Sequence, residues 1–188
     1  MTHNILTKRF CNLPFWTKQY KLNINPCYVG WNSSIYNTHD IHKICKKTKI
    51  NNDSKNEINY LLKLQNTNTV PKLYDIFQSK THYYLIMKNY KNDLFGLLTN
   101  PSIILSTEMK LFLILTILDK VNTLHKKQIA HCDIKTENIV INYDPLPRKY
   151  DIPYLYTNKL IDLVFIDFDH AHNIFEIPQK QYGTDQYR

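Results

Sequence analysis

A chain of 188 residues, 43% hydrophobic and 21% charged, has the make-up of one ordinary globular domain or a compact pair of lobes, not of a disordered protein. Its net charge of +8 does not by itself indicate nucleic-acid binding, because the lysines are spread along the chain and the one dense run, Lys43 to Lys49, reads equally well as a solvated face. The longest apolar run, Leu111 to Leu118 with one threonine, is too short to cross a bilayer, so neither nucleic acid nor membrane is the expected partner.

Only 3 glycines stand against abundant Asn, Ile, Lys and Tyr, a skew that suggests an AT-rich coding genome such as that of a DNA virus or an AT-biased parasite. Cys11, Cys27, Cys45 and Cys132 form no C-x-x-C pair, and the N-terminus "MTHNILTKRF" lacks the apolar centre of a leader. Free thiols in a reducing compartment, cytoplasm or nucleus, are expected.

In chain order, residues 1–26 carry no clear pattern. From Cys27 to Lys47, "CYVGW", "SSIYN" and "DIHKICK" read as short strands separated by turn formers. The polar loop "INNDSKN" offers Asp53 or Ser54 as N-caps for a helix on "NEINYLLKL", with Ile58, Leu61 and Leu62 on one face. "VPKLYDIF" and "HYYLIMKNY" are two strands joined at "QSKT", and "NDLFGLL" is a short helix. Ser106 caps the longest helix, where Leu111, Ile114, Leu115, Leu118, Val121 and Leu124 recur at helical spacing. "IVINY" is a strand, the proline-rich "DPLPRKYDIPYLYTNK" a loop and "LVFID" a buried strand, followed by an irregular tail. Without G-x-G-x-x-G after a first strand and without regular strand–helix alternation, a doubly wound dinucleotide fold is not expected.

The polar turn "HCDIKTEN" between the long helix and "IVINY" carries the chemistry. Asp133 and Asn138 commonly serve only the backbone of a turn. The combination at these offsets, with Asp167 closing another apolar strand, points further. Two strands ending side by side would bring Asp133, Asn138 and Asp167 to one rim. Asn138 and Asp167 are hard oxygen donors suited to Mg²⁺. Asp133 is then available to take a proton from a hydroxyl. Lys135 can neutralise a transferring phosphoryl group. Such a set serves phosphoryl transfer. The histidine pairs lack zinc-like spacing.

With these residues in view, the sequence resembles a eukaryotic-type protein kinase. "HCDIKTEN" matches the catalytic loop H-R-D-L-K-x-x-N except at Cys132, "DFD" matches D-F-G except at Asp169, and "YGTDQYR" is similar to the G-T-x-x-Y segment before A-P-E. "NEINYLLKLQ" resembles the helix that carries the conserved glutamate, and "YYLIMKNY" the strand into the hinge. The resemblance implies an α+β, two-lobed kinase-like fold. A strand-rich N-lobe with one helix would occupy 27–89, and a truncated, mainly helical C-lobe 90–188, ending within the activation segment. It implies Asp133 as catalytic base and Lys135 as the γ-phosphate contact of a serine/threonine-type enzyme. ATP and Mg²⁺ are the implied cofactors, the metal held by Asn138 and Asp167. Glu57 would pair with a strand lysine, Lys43 first, Lys46 next and Lys47 last. Gly30 would belong to the phosphate-covering loop and Met87 to the back of the adenine pocket, and His131 would orient the catalytic loop.

Four departures accompany this likeness. "YVGWNSSIY" retains one glycine, Gly30. Cys132 replaces the arginine that often binds a phosphorylated activation loop, so switching of that kind is not expected. Asp169 replaces a glycine. The chain stops at Arg188, which would leave the apolar face of the long helix open to self-association or docking. Two functions are therefore expected. One is a kinase moving the γ-phosphoryl of Mg·ATP to a protein Ser or Thr hydroxyl. The other is a truncated mimic that binds and inhibits a host kinase or its substrate.

Overall fold

The computed structural model describes residues 20–23, 25–143 and 161–176. The proline-rich loop after Tyr143, the segment Tyr182–Arg188 and most of the first 26 residues lie outside them. The described chain falls into two compact units: the residues up to Lys55 together with Lys72–Asn89, and Asn56–Pro71 together with those from Tyr90 on.

The first unit is an antiparallel sheet of five strands in the order β1-β2-β3-β5-β4. The strands are β1 (Tyr28–Val29), β2 (Ser33–Asn37), β3 (Lys43–Lys49), β4 (Leu73–Gln78) and β5 (His82–Lys88). Side chains alternate between faces, so the register sorts them. Tyr36 opposes Cys45, Cys45 opposes Ile86, and Phe77 opposes Tyr84. This face closes into a core of Cys45, Phe77, Tyr84 and Ile86 under Tyr20, Leu22 and Tyr36. Burial pushes the Cys45 thiol up to about 12, which makes it a packing group. The opposite face carries Ile35 against Lys46, Lys46 against Leu85 and Ile44 against Met87.

Helix α1 (Asn52–Leu64) starts one turn earlier than the apolar pattern suggests. The cap is Asn51, not Asp53 or Ser54: the Ser54 N–H donates to Asn51 Oδ1 at 2.8 Å, and the Asn51 N–H donates back to Ser54 Oγ at 3.1 Å. This reciprocal pair satisfies two otherwise orphan donors.

The sequence reading assigns all of 27–89 to one lobe, whereas packing groups Asn56–Pro71 with the second unit. Hydrogen bonds supply the reason: the Phe165 N–H donates to Thr69 O at 2.8 Å, and Asn56 donates to carbonyls of the segment after Phe168. The second unit contains the antiparallel hairpin β8 (Ile139–Tyr143) and β9 (Ile161–Phe165), edged by β6 (Asn92–Asp93). A two-stranded ribbon pairs β7 (Ile129–Ala130) with β10 (His172–Asn173). Helix α2 (Leu94–Thr99) is capped by Asp93, which accepts from the Gly96 N–H at 2.6 Å. Helix α3 (Thr107–Lys126) is capped by Ser106, as its sequence predicts.

Much of the apolar stripe on α3 is open, as expected of this face, and the helix packs largely through other residues. It buries Met109, Phe112, Leu113 and Leu124, while Leu111, Ile114, Leu115 and Leu118 are exposed. Apolar residues surround the helix, so spacing alone could not choose the packed side. Identical truncations on the two faces should therefore diverge. Leu124→Ala should cost about 2–5 kcal/mol by leaving a cavity, and Leu118→Ala about 0.5 kcal/mol or less. Urea unfolding of the two variants checks this.

Candidate active site

The site of the second unit is built from the loop between β7 and β8. Cys132 turns the chain with a left-handed φ of 65°, and a 3-10 turn at Thr136–Asn138 leads into β8. The Asn138 side chain closes this loop. Its Nδ2 donates to Asp133 Oδ2 at 2.8 Å and to the Asp133 carbonyl at 2.9 Å. Lys135 Nζ reaches the same Asp133 Oδ2 at 3.0 Å. A carboxylate held by an amide and an ammonium has little freedom to rotate. Burial opposes the charge on Lys135, but the bond to Asp133 and the nearby charges of Asp133, Glu137 and Asp167 outweigh it and raise its pKa.

Because both Asn138 amide bonds go to Asp133, its Oδ1 is turned away from that residue. The antiparallel register then brings in Asp167. Ile139 pairs with Phe165, and the next residue, Ile166, donates its N–H to Asn138 O at 3.0 Å. Asp167 follows with a left-handed φ of 69°, two residues past β9 and not at its last position as the sequence suggests. An amide oxygen and a carboxylate from adjacent chain ends are the oxygen donors a magnesium ion accepts. In donor type the two residues fit such an ion.

His131 joins the two segments. It is 3% exposed. Nε2 donates to the Ile166 carbonyl at 3.0 Å, and Nδ1 accepts the Asp133 N–H at 3.3 Å. Those partners fix the neutral Nε2–H tautomer. Its ring packs 4.4 Å from that of Phe168 and meets Phe165 edge-on at 5.7 Å. Burial, only partly offset by the Ile166 carbonyl and the charges of Asp133 and Asp167, lowers its pKa.

Cys132, in the arginine position of the motif, has Sγ 3.4 Å from His172 Nδ1, a contact made possible by the β7–β10 ribbon. Asp169 has no left-handed φ, so its Cβ strains nothing here. Its Oδ1 lies 3.8 Å from His170 Nδ1. Glu57 is a buried carboxylate on α1, 4% exposed. Sequence reasoning missed Asn56 beside it, although an asparagine inside a helix is a weak helix former and so a visible anomaly.

The remaining candidates lie in the first unit. Gly30 begins the turn between β1 and β2, its N–H donating to Ser33 O at 2.8 Å, and Trp31 at its tip is 96% exposed. Met87 is buried on the same sheet face as Lys46 and Leu85. Lys43 lies on the other face, ion-paired to Asp40 at 2.8 Å and 5.0 Å from the centre of the Tyr74 ring. That pair holds the Lys43 ammonium above its usual range. The strand therefore puts the first and second lysine candidates on opposite faces.

Protonated His131 would lose its acceptor for the Asp133 N–H. Its pKa is depressed by folding, so its contribution to stability is complete above the ordinary histidine value of about 6.5 and is lost as pH falls through the lower folded value. The melting temperature should drop between pH 7.5 and 5 more steeply for the wild type than for His131→Asn. Parallel slopes would contradict the buried neutral imidazole.

The geometry agrees with the comparisons with known proteins. A model of the protein kinase domain matches residues 27–188. Death-associated protein kinase 2 of mouse and of human is 34% identical over 119 residues, which are 63% of this chain and 28% of theirs. Myosin light chain kinase 3 of rat is 38% identical over 97 residues, 50% of this chain and 12% of the relative. Calcium-dependent protein kinase 6 of Plasmodium berghei is 32% identical over 113 residues, 59% of this chain and 8% of the relative. The chain thus spans less than a third of the length of these relatives. With the family model matched over most of its length and the catalytic-loop residues joined as described, the chain belongs to the protein kinase family.

Proposed function

We propose that this chain carries out phosphoryl transfer from ATP to a serine or threonine hydroxyl of a protein. The observation that carries the reading is the single oxygen, Asp133 Oδ2, held at 2.8 Å by Asn138 and 3.0 Å by Lys135. Asp133 orients the incoming hydroxyl and takes its proton as that oxygen bonds to the γ-phosphorus. The bond from the γ-phosphorus to the β–γ bridging oxygen breaks, and ADP leaves. Lys135, already beside the carboxylate, offsets the charge on the transferring group. Asn138 and Asp167 would hold Mg²⁺, which when bound neutralises phosphate charge.

In the first unit, Lys46 is the proposed phosphate-contacting lysine. It shares a face with Met87 and Leu85. Lys43 is on the other face and engaged with Asp40. Serine/threonine preference rests on Lys135 standing two residues after Asp133 and touching it.

Transfer of labelled γ-phosphate to mixed serine, threonine and tyrosine peptides, and to the chain itself, tests the proposal. Asp133→Ala should lower kcat about 10²–10⁴-fold. Lys46→Met should lower kcat/KM for ATP by about 10²-fold or more, and Lys43→Met by about twofold at most. Wild-type protein that transfers no phosphate and gains no thermal stability from Mg·ATP would remove the enzyme reading. Equal losses for the two lysines would remove the assignment of Lys46.

A further inference from the structure

We propose that Asn56 is a positioning residue, a latch that ties α1 to the turn after Phe168 and so fixes the conformer that presents Asp167. The consequence for catalysis rests on the kinase reading above, whereas the latch itself does not. Asn56 Nδ2 donates to the Asp169 carbonyl at 2.9 Å and to the Ala171 carbonyl at 2.7 Å, with the Phe168 carbonyl at 3.5 Å. An amide nitrogen has two hydrogens, so the two short bonds use both. Three carbonyl dipoles thus converge on one donor, and without it they would face one another. The turn is closed by one further backbone bond, from the Ala171 N–H to Phe168 O at 3.2 Å, before β10 begins at His172.

The location gives the latch its effect. Phe168 is fully buried, and the residue before it, Asp167, has a left-handed φ of 69°. A non-glycine residue keeps such a backbone only where its surroundings over-determine it. The His131 bond to the Ile166 carbonyl holds the segment from one side, and Asn56 holds it from the other. Asn56 also directly precedes the buried Glu57, so a swing of the Asp167 segment must first break the amide bonds to α1. Asparagine is a poor residue for a helix interior. Its place in the second turn of α1 is explained by what its side chain does outside the helix.

Asn56→Asp keeps the shape and removes both donors, and Asn56→Ala removes the side chain. Hydrogen exchange is measured on the full chain, together with the dependence of phosphate transfer on magnesium concentration. Amides of residues 168–173 should exchange about tenfold faster in both variants, with those of β8, β9 and α3 unchanged. The magnesium concentration for half-maximal rate should rise about fivefold or more, while kcat at saturating magnesium falls less than about twofold. Wild-type exchange at 168–173 would overturn the latch, and so would equal acceleration throughout the second unit, which would make Asn56 a general stabiliser. A wild type without phosphotransfer would defeat the kinase reading, with the exchange result still deciding the latch.

Discussion

The site of the second unit depends on one buried imidazole that stays neutral. His131 offers a donor to the Ile166 carbonyl and an acceptor to the Asp133 N–H, and an imidazolium could do only the first. Its ring also packs on Phe165 and Phe168, which bracket Ile166 and Asp167. One side chain therefore sets the spacing between the loop that carries Asp133 and the strand end that carries Asp167. Burial serves the same end, since it disfavours the charged form that would break the arrangement.

Around this fixed point the chain tolerates two unusual backbone conformations, at Cys132 and Asp167, with φ of 65° and 69°. Each costs about 1–3 kcal/mol where it is not compensated. Both flank groups whose direction matters. Cys132 reverses the chain just before Asp133, and Asp167 is itself the proposed metal-binding carboxylate. Asn138 then locks Asp133 from the far end of the loop, and its backbone carbonyl accepts from Ile166. The same few residues thus close the loop, join it to β9 and orient the oxygens. This economy is physical: a polar group in a half-buried turn must find partners, and here the partners are the groups proposed to act.

Much of this was legible in the sequence because it is local. The catalytic-loop offsets, the Ser106 cap and the strands of the first sheet follow from spacing and turn chemistry within short windows. What was not legible depends on long-range packing. The open stripe of α3 was expected, but its packed side, Met109, Phe112 and Leu113, was not, because both sides of the helix are apolar. Alternation along the strand puts Lys43 and Lys46 on opposite faces, but that Met87 shares the face of Lys46 required the strand register. Asn56 was invisible as a latch because its acceptors lie more than 110 positions away in the chain. The contact of Cys132 with His172 likewise needed the β7–β10 ribbon, whose strands are too short to announce themselves by pattern.

In the proposed enzyme the oxygens of Asn138 and Asp167 converge on a divalent ion carried by ATP. Paramagnetic broadening by Mn·ATP, followed on the Asn138 side-chain amide and the Asp167 backbone amide, tests it most directly. Both signals should vanish at substoichiometric manganese only when nucleotide is present, and excess Mg·ATP should restore them. If both signals persist through saturation while resonances elsewhere broaden, the two side chains do not share an ion, and the account is contradicted.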